Sequence, residues 1–236
     1  MTKVDYGIDA PGVVRNLAIS GATLLIIRVF TTTIRIGPVQ IIKFEWPGTF
    51  LLATACLMLL YSKVGKMRHR DRMIRMAALR GDEQVLDVGT GRGLLLIAAA
   101  KKLSTGHAVG SDIWKASDLS NNLRELTEKN LAAEGVSDRC ELIDTPAEKM
   151  QFQDSCFDVV LSNMCLHNIS EKGDRRKACL EIVRVLKPGG AAVISDFKHT
   201  ASYANALKEA GLTVSRKFYL VDTFFPVSIV HARKPV

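Results

Sequence analysis

Before Tyr61, apolar side chains gather into two long runs instead of alternating with polar ones. Leu17 to Phe30 (LAISGATLLIIRVF) and Thr49 to Tyr61 (TFLLATACLMLLY) are 14 and 13 residues long. Both fall short of the roughly 18–20 residues of an unambiguous bilayer span. The first extends toward Ile36 only by accepting Arg28 and the polar step Thr31-Thr32-Thr33. The second extends back to Trp46, an interfacial aromatic with Pro47 opening the helix. Gly37-Pro38 supplies a turn between them. A cleaved signal peptide does not fit, because no small-residue cleavage site follows the first run and a second run comes soon after. The pattern predicts two hydrophobic helices over residues 1–62, a hairpin that spans the membrane or lies in it. The competing reading is a pair of core helices covering the soluble domain or a dimer partner.

From Asp82 onward the period changes. Short β-rich runs near 84–88, 107–112, 139–144, 157–162 and 190–196 alternate with helical stretches near 92–103, 118–134, 171–186 and 200–210. That alternation predicts a parallel sheet with crossover helices. Leu212 to Val221 and Phe225 to Ala232 are extended runs separated only by a turn. They predict a terminal antiparallel hairpin, which ordinary dinucleotide-binding domains lack. The fold expected is α/β, a Rossmann-like seven-stranded sheet over residues 80–236.

The net charge is +8, and residues 63–80 hold most of it: Lys63, Lys66, Arg68, Arg70, Arg72, Arg75 and Arg80 against Asp71 alone. A basic block directly after an apolar run favours anionic lipid head groups over nucleic acid. Residues 63–79 are therefore read as a basic linker helix along the membrane surface. The same charges would keep the N-terminus and the catalytic domain on the cytoplasmic side. Five scattered cysteines with no CxxC pair give neither a disulfide framework nor a zinc site, and no metal is expected.

The strongest chemical signal is Val85-Leu86-Asp87-Val88-Gly89-Thr90-Gly91-Arg92-Gly93. An apolar strand ends in an acid and enters a glycine-rich turn that opens a helix, so the backbone can bend sharply and approach a ligand. A dinucleotide fingerprint would need glycine where Leu94 stands. The acid at the strand end suits a ligand bearing an ammonium group. Asp112, closing Val109-Gly110-Ser111-Asp112, is placed to accept bonds from ribose hydroxyls; capping a helix is its plainer role.

Together with Ala147-Glu148-Lys149-Met150-Gln151-Phe152, Phe157-Asp158-Val159-Val160-Leu161-Ser162-Asn163, Leu166-His167-Asn168 and Glu181-Ile182-Val183-Arg184-Val185-Leu186-Lys187-Pro188-Gly189-Gly190, these motifs make residues 80–236 resemble the class I S-adenosylmethionine-dependent methyltransferases, in particular the quinone and sterol methylating group. The resemblance implies S-adenosylmethionine as cofactor. It puts Asp87, Gly89 and Gly91 around the methionine part, with Thr90 and Gly93 in the same loop, Asp112 at the ribose, Ile113 as a further cofactor-binding residue, and Asn163 beneath the sulfonium. The adenine contact is left between Asp144, Ala147 and Glu148, because Thr145-Pro146 intervenes where the family carries its acid directly before the alanine.

Methyl transfer needs alignment more than acid–base chemistry, and a base only when the nucleophile carries a proton. Candidates are His167, Asp196, His199 and Tyr203, with Asp196 and His199 as a partnered pair at a strand end. Each has a plainer role in packing or capping. A membrane tether suits a small hydrophobic or lipid-like acceptor. A small thiol or sulfide is the alternative, and a non-catalytic cofactor-binding membrane module is the reading from another class. Nucleic acid is not expected, since the loop after the fourth strand lacks an Asn-Pro-Pro-aromatic motif. Self-association is left open.

Overall fold

The computed structural model describes residues 4–31, 33–42, 45–115, 119, 122–220, 223 and 226–236. Helix α1 (Pro11–Phe30) opens on a proline, whose missing N–H costs nothing at a first turn, and α2 (Glu45–Leu60) has Pro47 in its first turn. Between them β1 (Thr33–Ile36) and β2 (Val39–Ile42) form an antiparallel hairpin about Gly37-Pro38. Glycines bring the two helices together. A Cβ on Gly21 would sit 2.8 Å from the Gly48 carbonyl oxygen and 2.9 Å from Leu52 Cγ. The outer faces carry exposed Ile19, Ile26, Val29, Phe30, Trp46 and Phe50. At 1.5 Å per residue, the 20-residue α1 measures about 30 Å, the thickness of a bilayer's hydrocarbon core. By length and composition, α1 and the continuous helical stretch Glu45–Ala77 could each cross a membrane.

Past Leu60 a single π-helical turn, Tyr61–Gly65, leads into α3 (Lys66–Ala77). Here the structure differs from the expected surface linker. Lys66, His69, Met73, Ile74 and Ala77 recur every three to four residues and are buried. Met73, Ile74 and Ala77 pack into the same core cluster as Val85, Leu95, Leu96 and Val193. The basic charge is left on the other face, where Arg68, Arg75 and Arg80 are exposed and Arg72 stacks 4.1 Å above the Tyr219 ring.

The sheet runs β5-β4-β3-β6-β7-β9-β8. Strands β3 (Gln84–Val88), β4 (His107–Asp112), β5 (Cys140–Asp144), β6 (Phe157–Asn163) and β7 (Leu186–Asp196) are parallel. The closing hairpin of β8 (Thr213–Tyr219) and β9 (Val227–Arg233) inserts β9 antiparallel between β7 and β8. Crossovers are α4 (Leu94–Ala100), α5 (Arg124–Ala133), α6 (Lys172–Val185) and α7 (Thr200–Glu209). Part of the helix expected from 118, and part of the turn at 221–225, lie outside the described residues. Strand β3 pairs with β4 on one side and β6 on the other, so the strand order reverses there. The crevice beyond the C-terminal ends of β3 and β6 is where open α/β sheets take ligands.

The helix contact is testable. Gly21→Val should force α1 and α2 apart and cost about 1–3 kcal/mol. Gly12→Val, whose added Cβ meets nothing within 4 Å, is the control. Equal melting temperatures for the two variants in detergent would contradict the close crossing.

Candidate functional site

That crevice opens into a cavity of about 590 Å³, the size of a small-molecule site. Its floor is the loop between β3 and α4, built around Asp87. The buried carboxylate accepts through Oδ2 from Thr90 Oγ1 at 2.9 Å and from Leu96 N at 3.0 Å. Burial pushes its carboxyl up to about 7, against the opposing pull of those two hydrogen bonds. The N–H groups of Gly89 and Thr90 donate to the Ser111 carbonyl at 2.8 and 3.0 Å, and the Thr127 hydroxyl donates to the Gly91 carbonyl at 2.6 Å. Gly89 has φ +73°, and a Cβ there would lie 2.2 Å from Cys165 Sγ. The group that presses on this glycine is therefore the cysteine of the loop after β6.

Among the residues singled out in the sequence for the cofactor, Gly89, Thr90, Gly91, Asp112, Ile113, Ala147, Glu148 and Asn163 line the cavity. Asp87 lies beneath the loop and organises it. Gly93 starts α4 in the left-handed region, at φ +81°. Asp144 is outside the lining: it pairs with Arg124 at 2.7 Å and accepts from Trp114 Nε1 at 2.8 Å. Those two partners hold its carboxyl below the usual carboxylate range, which leaves Ala147 and Glu148 on the cavity wall of that segment. Asp112 accepts from Gly91 N and Trp114 N, both at 2.7 Å, and so ties the ends of β3 and β4 together.

Two buried acceptors on the wall, Asn163 Oδ1 and Asn122 Oδ1, have no hydrogen-bond partner among the described residues. Left unmet, each would cost about 1–3 kcal/mol. S-adenosylmethionine carries ammonium, hydroxyl and amino donors, so the residues present fit that molecule.

The catalytic candidates divide. His167 lines the cavity with Nδ1 2.9 Å from Asp196 Oδ1. Asp196 is wholly buried and also accepts from His167 N at 3.1 Å, Phe197 N at 2.8 Å and Tyr203 Oη at 3.4 Å. Tyr203 is buried behind Asp196, outside the lining. His199 is exposed at φ +60° before α7, away from the cavity. The partner that the structure gives Asp196 is His167, in place of His199.

Sequence reasoning missed the far wall. The segment before α1 crosses the cavity and contributes Tyr6, Asp9 and Ala10. Asp5 pairs with Arg92 at 2.6 Å, and Lys66 Nζ donates to the carbonyls of Tyr6 at 2.9 Å and Gly7 at 2.6 Å, with Asp9 Oδ2 at 3.3 Å. Thr54, Met58 and Tyr61 complete the wall. Their spacing, four and then three residues, was the one available signal.

The Asp87 carboxyl gives a pH test. An unfolded aspartate loses its proton near pH 4 and this folded one near 7. The stability gained from the raised value is complete below about pH 4 and is lost as pH rises to 7. Asp87→Asn should gain in melting temperature relative to the wild type across that interval. A constant gap would show that Asp87 ionises like an exposed acid.

A family model described as a methyltransferase domain matches residues 86–194. The chain is 34% identical over 132 residues to a demethylmenaquinone methyltransferase of Clavibacter sepedonicus, which covers 54% of this chain and 48% of that protein. It thus spans about half the length of the curated relatives it matches. Among solved structures, a SAM-dependent methyltransferase from Aquifex aeolicus aligns with a TM-score of 0.56 at 21% identity, over 70% of this chain and 88% of the other. The [4+2]-cyclase SpnF aligns with a TM-score of 0.62 at 18% identity, over 72% and 81%. These two likenesses show the shared fold. The family match, read with the motif series, means that residues 86–194 carry a methyltransferase domain with the motifs of the class I S-adenosylmethionine-dependent enzymes.

Proposed function

We propose that this chain is a membrane-associated methyltransferase that moves a methyl group from S-adenosylmethionine to a small hydrophobic or lipid-like acceptor, with its catalytic domain facing the cytoplasm. One observation carries the reading: a single cavity is walled on one side by the glycine loop, Asp112 and Asn163, and on the other by Thr54, Met58 and Tyr61 from an apolar helical stretch. The exposed apolar faces of α1 and α2 suit lipid, and the named quinone methyltransferase among the relatives acts on a molecule of that kind.

Bound in this cavity, S-adenosylmethionine would supply a methyl group on a positively charged sulfur, ready for in-line displacement. The chain's share is alignment, exclusion of water and removal of one proton. The loop at 89–91 and Asp112 fix the donor end. The segment at 4–10 and the α2 stretch form the wall facing that end. His167 turns Nδ1 toward the buried Asp196 carboxylate, which orients the ring. Nε2 is then the nitrogen that takes a proton from an acceptor hydroxyl, thiol or acidic carbon as the methyl group moves to it. Tyr203 and the Phe197 amide keep Asp196 in place for that task.

Incubation of the full chain with labelled donor and a total lipid and thiol extract, followed by mass analysis of whatever gains one CH₂, identifies the acceptor class. Label in a small thiol would replace the lipid-like acceptor, and donor binding without any transfer would make the chain a non-catalytic module. With an acceptor in hand, His167→Ala and Asp196→Asn should each lower kcat by about 10²–10⁴-fold while S-adenosylhomocysteine still binds. Turnover within about threefold of wild type in both variants would remove the pair from catalysis.

A further inference from the structure

Helix α2 has two faces with different occupants. Gly48, Leu52 and Ala55 belong to the side toward α1: a Cβ on Gly21 would meet Gly48 and Leu52, and Ala55 is buried. On the opposite side stands a row at four-residue steps, Trp46, Phe50, Thr54 and Met58, with Tyr61 at its inner end. Rows of this spacing form ridges along a helix. The outer members, Trp46 and Phe50, are both 70% exposed, whereas Thr54, Met58 and Tyr61 line the cavity. One strip of side chains therefore passes without a break from the outside of the hairpin to the methyl-transfer site. From Trp46 to Tyr61 it covers about 22 Å, and its inner part, from Thr54, about 10 Å.

The strip is apolar with one exception before Tyr61. Thr54 is the single polar side chain before Tyr61, and its hydroxyl donates to the Phe50 carbonyl at 2.8 Å, so it requires no outside partner. At the inner end the surroundings turn polar, with His167, Asn163 and Asp174 on the cavity wall. A polar reacting end continuous with an apolar exit fits an amphipathic molecule with its head at His167 and its chain along the helix.

The geometry points to this row as the specificity element for the acceptor: it selects molecules whose reacting head carries an aliphatic chain of about 10 Å or longer, laid along Met58 and Thr54 and leading out past Phe50. The inference rests on the methyl-transfer reading and adds to it the chemistry of the acceptor's non-reacting part. Burial of such a chain is independent of the displacement itself, so occupancy and turnover can be read separately.

The test uses the full chain in nanodiscs and a 1,4-naphthoquinone bearing a decyl chain tipped with a photoreactive diazirine. Photolabelling should mark the peptide containing Phe50 to Tyr61. The mark should fall about tenfold in Met58→Asp, survive in Met58→Leu, and fall in Thr54→Phe, which blocks the row without adding charge. S-adenosylhomocysteine binding confirms that each variant is folded. In parallel, the ratio of kcat/KM for decyl-naphthoquinol over tail-less naphthoquinol should drop about tenfold in Met58→Asp. Label placed elsewhere in the chain, or undiminished in a folded Met58→Asp, overturns the row as a chain-binding element. Specific labelling of the row without methylation of either naphthoquinol by the wild type counts against the methyl-transfer reading and leaves the row standing.

Discussion

Asp87 holds a carboxylate in the interior at the end of β3, where an unpartnered acid would cost several kcal/mol. The loop after it supplies the partners, the Thr90 hydroxyl and the Leu96 amide. Both must reach one oxygen, so the chain has to fold back within a few residues. It does so through glycines at φ +73°, +50° and +81°. Once bent, the loop turns the amides of Gly89 and Thr90 onto the Ser111 carbonyl, which fixes the end of β3 against the end of β4. The position of Asp112, and with it the floor of the cavity, follows from that contact.

The opposite wall depends on another buried charge. The π-helical turn at Tyr61–Gly65 changes which residues face inward, and Lys66 enters the interior with three oxygens around its ammonium group. Two of these are backbone carbonyls of the segment that precedes α1. Because Lys66 opens α3, it ties that segment to the helix whose Met73, Ile74 and Ala77 pack on the α/β core. Such an arrangement is stable only as a set, because removal of any one partner leaves a buried charge underserved. The apolar N-terminal region is thus part of the site wall.

Much of the fold was legible in the sequence because the relevant forces are local. Apolar runs at 84–88 and 107–112 are bounded by turns, and the strands keep those limits. Helix ends moved by a few residues, as fraying ends do. The glycine loop, Asp112 and Asn163 could be placed because each sits at a strand end whose position the alternation fixes. The pairing of side chains could not. Asp196 and His199 are close in sequence, yet the left-handed turn at His199 sends the chain outward, while His167 comes back from the loop after β6. Asp144 was hidden for a similar reason: Arg124 and Trp114, which occupy it, come from distant positions. In residues 63–79 the density of positive charge drew attention from the apolar stripe of Met73, Ile74 and Ala77, which decides where that helix packs.

A twisted sheet with a glycine loop binds a nucleoside-like donor but does not choose a reaction, since the same layers host unrelated chemistries. The choice lies with whatever closes the other side of the cavity. In this chain that side is shared by the segment before α1 and by α2 with the turn that follows it, and α2 has exposed apolar residues along its length. The proposed preference for a lipid-like acceptor therefore rests on this wall, more than on the fold beneath it.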